Sequence, residues 1–255
     1  MRLDADTYRE IADSLVRNRS RSLLTGFGIF WGLFMLLFLI GGGKGLKQLL
    51  NQNFDGFASN AVILLTQNTS LPYKGLPEGR YWDLTATDAE RLKVMVPELE
   101  TVTGQIAQWG NDAVYNEQKI QVNIKGINAD YVKVEAPRLK YGRYINEVDV
   151  SQERKVCVIG KRVYKELFPD GGDPCGAFIQ VGAVFFQIVG VDFSSGNINI
   201  NGNATTAVTI PITIAQKLYG RGRNLDILCV TGKPGIDMSR LSDRILQIMA
   251  RQHSF

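Results

Sequence analysis

Leu23 to Gly43 read LLTGFGIFWGLFMLLFLIGGG, 21 consecutive residues without a charged side chain. At 1.5 Å per residue an α-helix of that length spans about 31 Å, the thickness of a bilayer's hydrocarbon core. The competing reading, a cleaved leader, fits poorly: a long structured segment precedes the run, the run is too long, and no A-x-A site follows it. Arg17, Arg19 and Arg21 crowd the N-terminal flank, while Lys44 and Lys47 follow the run. By the positive-inside rule Met1 is expected in the cytoplasm and everything after Lys47 outside. Gly28 and Gly32 form a G-x-x-x-G within the run, GIFWG, a face on which a neighbouring helix can pack closely.

Upstream, Tyr8, Ile11, Ala12, Leu15 and Val16 recur at helical spacing, with Thr7 and Glu10 as a capping box. This predicts an amphipathic helix in the cytoplasmic membrane interface, with a solvated helix packing on another protein chain as the alternative. Downstream, Leu46, Leu49, Leu50 and Phe54 keep the helical spacing, so the spanning helix is expected to extend as a stalk until Asp55 and Gly56 break it.

The remainder has the material of a folded body. The 255 residues are 45% hydrophobic, enough for a sizeable core. With 29 basic against 25 acidic side chains, the charge balance gives no polyanion-binding surface, so nucleic acid is not an expected partner. AVILLT (61–66) reads as a strand, and LPYKGLPEGRYW after it as a loop whose Tyr73, Tyr81 and Trp82 either line a ligand surface or cover the core. Thr85 or Thr87 caps a helix that stops before Pro97. Strands follow at TVTGQIAQW, DAVYN and KIQVNIKGI, then the strand KVCVIG, the helix RVYKELF, and a hairpin around Gly182. GNINI and NATTAVTIP flank Asn201 and Gly202, the dipeptide of a type I′ turn, which predicts a second hairpin. Its polar face, Asn199 and Asn201, is a candidate contact for a second copy or an outside partner; a purely internal role is the alternative. A strand LDILCVTG and an amphipathic helix on Met238, Leu241, Ile245, Ile248 and Met249 close the chain. The order implies an α+β domain with a mostly β insertion.

Catalytic and cofactor motifs do not emerge. GGGKG (41–45), IGKRV and TGKPG all lack the G-x-x-x-x-G-K-[ST] spacing of a phosphate loop. Cys157, Cys175 and Cys229 are too widely spaced for a metal set and read as buried thiols, with one disulfide as the alternative. The single histidine, His253, stands at the C-terminal end, so the usual base for a serine or cysteine nucleophile is missing. No catalytic residue, metal or cofactor is assigned.

Three stretches together resemble the permease subunits of MacB-type ABC transporters, a group that includes lipoprotein-releasing and FtsX-like systems. LVRNRSRSLLTGFGIFWG (15–32) is similar to the family's opening pattern of basic residues, R-S-L-L-T and G-x-x-x-G. LKYGRYINEVDVSQERKVCVIGKRVYKELFPDGGDPCGAFIQVGAVFFQIVGV (139–191) resembles its run of G-R, acidic turn, V-x-V-[IL]-G, a helix ending L-F, D-P-x-G and V-x-G-V. AVTIPITIAQKLYG (207–220) resembles its V-x-x-P segment, and ARQHSF the stretch before its second membrane helix. Cys175 departs from the pattern, standing where D-P-x-G usually has an apolar residue.

The resemblance implies a cytoplasmic interfacial helix over 1–22, a transmembrane helix over 23–45 and a periplasmic core over 46–255. Within that core, membrane-proximal α+β halves over about 46–105 and 205–255 flank a β-rich insertion over about 106–204. It also implies location in the bacterial inner membrane, a cytoplasmic ABC ATPase as partner, and a second permease copy as homo- or heterodimer. A periplasmic adaptor and an outer-membrane channel are the further partners of such systems. Three more membrane helices would follow Phe255, so the sequence is expected to be the N-terminal portion of a longer protein. The function implied is transmission of ATP-driven motion to an outer domain for efflux or release of a substrate. The alternative is a single-pass sensor or adaptor that binds a ligand or protein outside, and a membrane-tethered enzyme is a third reading.

Overall fold

The computed structural model describes residues 19–53, 58, 60–194 and 202–254. The amphipathic helix expected over 7–16 and the break at Asp55 and Gly56 lie outside the described residues. The chain divides into two compact units, Met1–Asn53 and Phe54–Phe255.

The first unit contains α1 (Arg19–Asn53), 35 residues without interruption. The helical spacing seen beyond the apolar run is therefore realised as the same helix.

The second unit is α+β. Its strands are β1 (Ala61–Leu65), β2 (Leu84–Thr85), β3 (Leu99–Tyr115), β4 (Gln118–Ile127), β5 (Leu139–Gly142), β6 (Val156–Gly160), β7 (Phe178–Val181), β8 (Val184–Asp192), β9 (Ala207–Pro211), β10 (Asn224–Leu225) and β11 (Ile227–Gly232). Its helices are α2 (Ala86–Met95), α3 (Glu147–Ser151), α4 (Lys161–Leu167), α5 (Ile212–Leu218) and α6 (Met238–His253). One mixed sheet runs in the order β1-β11-β3-β4-β9-β6-β8-β5, with β7 joining β3 and β8, and β2 pairs β10 separately.

Period-two alternation gives this sheet two unlike faces. On one, Val102, Ile106, Ile124, Val208, Ile210, Leu228 and Val230 are buried. Two glycines there let the covering layer approach: a Cβ on Gly104 would stand 2.5 Å from Leu225 Cδ1, and one on Gly126 would collide with Ala215 Cβ. On the other face Thr101, Thr103, Gln105, Lys125, Cys229 and Thr231 are buried although most are polar. Residues 129–135 cover part of it. Tyr131 Oη donates to Gln105 Oε1 at 3.0 Å, and Lys125 pairs with Glu135 while its ammonium lies 4.7 Å from the centre of the Tyr131 ring.

Local chemistry explains where elements start. Thr85 caps α2, with Asp88 Oδ2 accepting from both Thr85 N and Thr85 Oγ1 at 2.8 Å, and Pro97 follows the helix end. α3 repeats the device: Asn146 Oδ1 accepts from Asp149 N at 2.9 Å and Asp149 Oδ2 from Asn146 N at 3.1 Å. The hairpin expected around Gly182 is present, Val181 opposite Val184, with Gly182 at φ +59°. TVTGQIAQW and DAVYN, by contrast, form one strand. β3 continues through Gly110 by a bulge, where its register with β4 jumps between Gln108 and Asn111.

Candidate functional site

Leu23–Leu46, a 24-residue stretch of α1, is long and apolar enough to cross a membrane, and none of it is buried in the protein. At 1.5 Å per residue it spans about 36 Å, somewhat more than a hydrocarbon core. Phe27, Trp31, Phe34 and Phe38 follow one another along it, with successive ring centres 5.7–6.3 Å apart. A Cβ added at Gly28 or Gly32 meets nothing within 4 Å, so the surface at both glycines is open to a close neighbour.

Asn199 and Asn201 lie outside the described residues. Gly202 is described and is buried, at φ +125°. A Cβ there would collide with Asn123 Nδ2 and stand 3.3 Å from the Trp109 ring, so a side chain has no room between them. The stretch expected as the hairpin's second arm is a 3₁₀ turn, Ala204–Thr206, and then β9, which lies inside the sheet. β9 pairs in parallel with β4 along Ala207–Pro211 and antiparallel with β6 at Val208 and Thr209.

Beside Gly202, the bulge of β3 and the start of α4 enclose a recess of ≈ 500 Å³ whose lining includes Trp109, Ile120, Asn123, Arg162 and Thr206. Sequence reading did not single out these residues: Trp109 read as a strand residue and Arg162 as a helix residue. Only the bulge, which the sequence hides, brings them together.

The aromatic loop has two kinds of member. Trp82 packs on the core, donates from Nε1 to Gln67 O at 3.0 Å and leans on the His253 ring with centres 4.5 Å apart, whereas Tyr81 is exposed. Leu65, Leu71, Pro72, Tyr73, Trp82 and Leu246 line an apolar groove of ≈ 430 Å³. His253 Nε2 lies 3.1 Å from Asp88 Oδ1, and Arg80 Nη2 donates to the carbonyls of His253 and Ser254 at 3.1 and 2.6 Å. These contacts tie the end of α6 to the start of α2.

For chemistry, the arrangement offers little. Among the described residues no group of three or more His, Cys, Asp or Glu side chains could hold a metal ion. Cys157 and Cys229 are buried and Cys175 is half-buried. Burial raises all three thiols, Cys229 to about 12; for Cys175 burial and then the bond to Asp173 raise it to about 11. Thiols so shifted stay protonated near neutral pH and are poor nucleophiles. Ser194 Oγ donates to Asp192 Oδ1 at 2.6 Å, part of a turn that also holds Arg138 N.

Comparison with known proteins agrees with the sequence resemblance. Residues 22–248 match the MacB-like periplasmic core domain. The macrolide export ATP-binding/permease protein MacB of Aggregatibacter actinomycetemcomitans is 26% identical over 221 residues, 86% of this chain and 33% of that protein. A probable syringafactin export ATP-binding/permease protein of Pseudomonas syringae pv. tomato is 23% identical over 246 residues, 94% of this chain and 35% of its own length. The chain thus spans about one third of these relatives. In fold it is similar to the periplasmic region of MacB from Actinobacillus actinomycetemcomitans, with a TM-score of 0.63 at 19% identity over 79% of this chain and 88% of that one. It is equally similar to the extracellular domain of the noncanonic ABC-type transporter YknZ from Gram-positive bacteria, with a TM-score of 0.63 at 17% identity over 76% and 95%. With residues 22–248, most of the chain, matched by the family's model, the chain belongs to the MacB-like periplasmic core domain family.

Proposed function

We propose that this chain is the anchored, outward-facing portion of a MacB-type ABC transporter permease. In this reading α1 crosses the bacterial inner membrane with Met1 in the cytoplasm and the 54–255 unit in the periplasm. The observation that carries it is a family match over residues 22–248 that takes in both the long helix, helical from the apolar stretch through to Asn53, and the folded unit that follows it in sequence. A helix that does not break at the edge of the apolar run is a rigid element, and transmission of motion needs such an element rather than catalytic side chains.

ATP hydrolysis belongs to a separate cytoplasmic ATPase, and the permease pairs with a second copy, with Gly28 and Gly32 on the packing face. An adaptor and an outer-membrane channel complete the path in systems that export to the outside. Residues 46–105 and 205–255 form the membrane-proximal part and 106–204 the insertion, β3 crossing the border between them. Asn199 and Asn201 are the proposed contact with the second copy or the adaptor; Gly202, expected with them, is buried against Asn123 and Trp109 and is not part of that contact.

Cysteine scanning in intact cells tests the orientation. A membrane-impermeant maleimide is expected to label Asp130→Cys and to spare Asp6→Cys until the cells are opened. Labelling of position 6 with protection of position 130 would reverse the topology and defeat the reading.

A further inference from the structure

At the β5 edge of the sheet, three aromatic rings surround one ammonium group. Lys140 Nζ lies 5.0 Å from the centre of the Tyr141 ring, 5.3 Å from that of Tyr164 and 4.9 Å from that of Phe193. The rings also stand against one another, with the centre of Tyr164 5.8 Å from those of both Tyr141 and Phe193. Among the described residues Lys140 pairs with no carboxylate and donates no hydrogen bond, so π faces alone hold its charge.

The rings are fixed and their occupant is not. Tyr141 stands in β5 opposite Val191, and Phe193 packs on the core while its N donates to Arg138 O at 2.8 Å. Tyr164, on α4, is 5% exposed, and its Oη donates to Gly172 O at 2.7 Å. Lys140 is exposed and reaches the rings on a flexible four-carbon stem. Its withdrawal into water uncovers three π faces already in place, so a ligand entering there orders little. A lysine ammonium is strongly hydrated, whereas an alkylated ammonium presents methyl groups to the rings, the arrangement in which such cages bind best. Replacing one monovalent cation by another also leaves the charge unchanged beside Lys161, whose Nζ lies 5.6 Å from the centre of Phe193.

We propose that Tyr141, Tyr164 and Phe193 form a binding site for a small alkylated ammonium ion, which Lys140 fills until the ion displaces it. The proposal is independent of the permease reading, since it rests on the geometry of one cluster. In the test, the chain in dodecyl maltoside, which carries no ammonium group, is titrated with choline and with dimethylbutanol, its uncharged tert-butyl isostere. Binding is read from the ring ¹³C–¹H resonances of Phe193 in phenylalanine-labelled protein, assigned by their loss in Phe193→Leu. Choline is expected to shift them saturably and the alcohol to bind at least about tenfold more weakly, having no charge for the three rings to attract. Lys140→Ala removes the competing ammonium from an exposed position and should tighten choline at least about threefold. Tyr141→Leu should weaken choline at least about threefold, while Tyr141→Phe, which keeps the ring, should stay within about twofold of wild type. The absence of a saturable shift, equal binding of choline and the alcohol, no gain in Lys140→Ala, or no loss in Tyr141→Leu would overturn the proposal.

Discussion

Asp149 is fully buried, and its carboxylate takes two bonds from Arg143, Nη1 at 2.5 Å and Nη2 at 2.9 Å, besides accepting from Asn146 N at 3.1 Å. Burial by itself raises this carboxyl, but the Arg143 hydrogen bonds, the Asn146 backbone and the charges of Arg143 and Arg154 outweigh it, leaving the group below its ordinary value. Asp149→Asn keeps the shape and removes the charge. Breaking a buried pair costs roughly 3–5 kcal/mol, yet the Arg143 side chain is 42% exposed and can recover water, which brings the expected loss to about 2–3 kcal/mol. For a domain of about 200 residues that is a fall in Tm of roughly 5–10 °C. The pH dependence has a definite sign. A carboxyl whose folded pKa is lowered stabilises the fold fully above its unfolded value, near 3.9, and the contribution fades as pH drops below that through the folded value. The wild type should therefore lose more stability than the variant between about pH 5 and pH 2. Thermal unfolding of the chain in detergent, followed by far-UV circular dichroism, measures both quantities. A variant within about 1 °C of wild type at pH 7, or one with the same acid profile, would refute the reasoning.

Gly160→Ala should be costly, because its Cβ would stand 2.6 Å from the Thr205 carbonyl oxygen and collide with that of Ala204; backbone cannot yield cheaply, and a loss of about 1–3 kcal/mol is expected in denaturant melts. Tyr131→Phe removes the donor to Gln105 Oε1 inside the core and should cost about 1–2 kcal/mol in the same assay, whereas exposed Tyr81→Phe should be neutral. With their thiols raised by burial, Cys157, Cys175 and Cys229 should resist iodoacetamide at pH 8 and react once urea unfolds the domain. Rapid alkylation of the folded chain would contradict this.

How much of the fold the sequence discloses depends on the range of the signal. The apolar run of α1, the Thr85 cap, the Gly182 hairpin and the stripe of α6 are local patterns, and each appears where its pattern stands. Pairings between distant segments leave no such trace. β4 lies parallel to β9 and β6 parallel to β8, partners separated by tens of residues. The bulge of β3 illustrates the limit from the other side: Gly110 at φ +76° reads as a turn between two strands, whereas the chain uses it to bend one. Asn201 and Gly202 likewise carry a hairpin signature, yet the strand after them is claimed on one side by β4 and on the other by β6. The buried polar face, with Lys125 and Glu135 paired, also escaped notice, because a lysine in an alternating strand reads as a solvated side chain.

The central claim is that this outer domain moves in response to ATP hydrolysed on the opposite side of a membrane. It is tested most directly by placing spin labels at Lys119→Cys in both copies of the full-length permease, reconstituted with its ABC ATPase in nanodiscs, and measuring their separation by pulsed electron resonance. Trapping the ATP-bound state should displace the distance distribution relative to the nucleotide-free state, and a hydrolysis-deficient ATPase should hold it at the ATP-bound position. Identical distributions in all nucleotide states, from a complex shown to be assembled and active, would contradict the account.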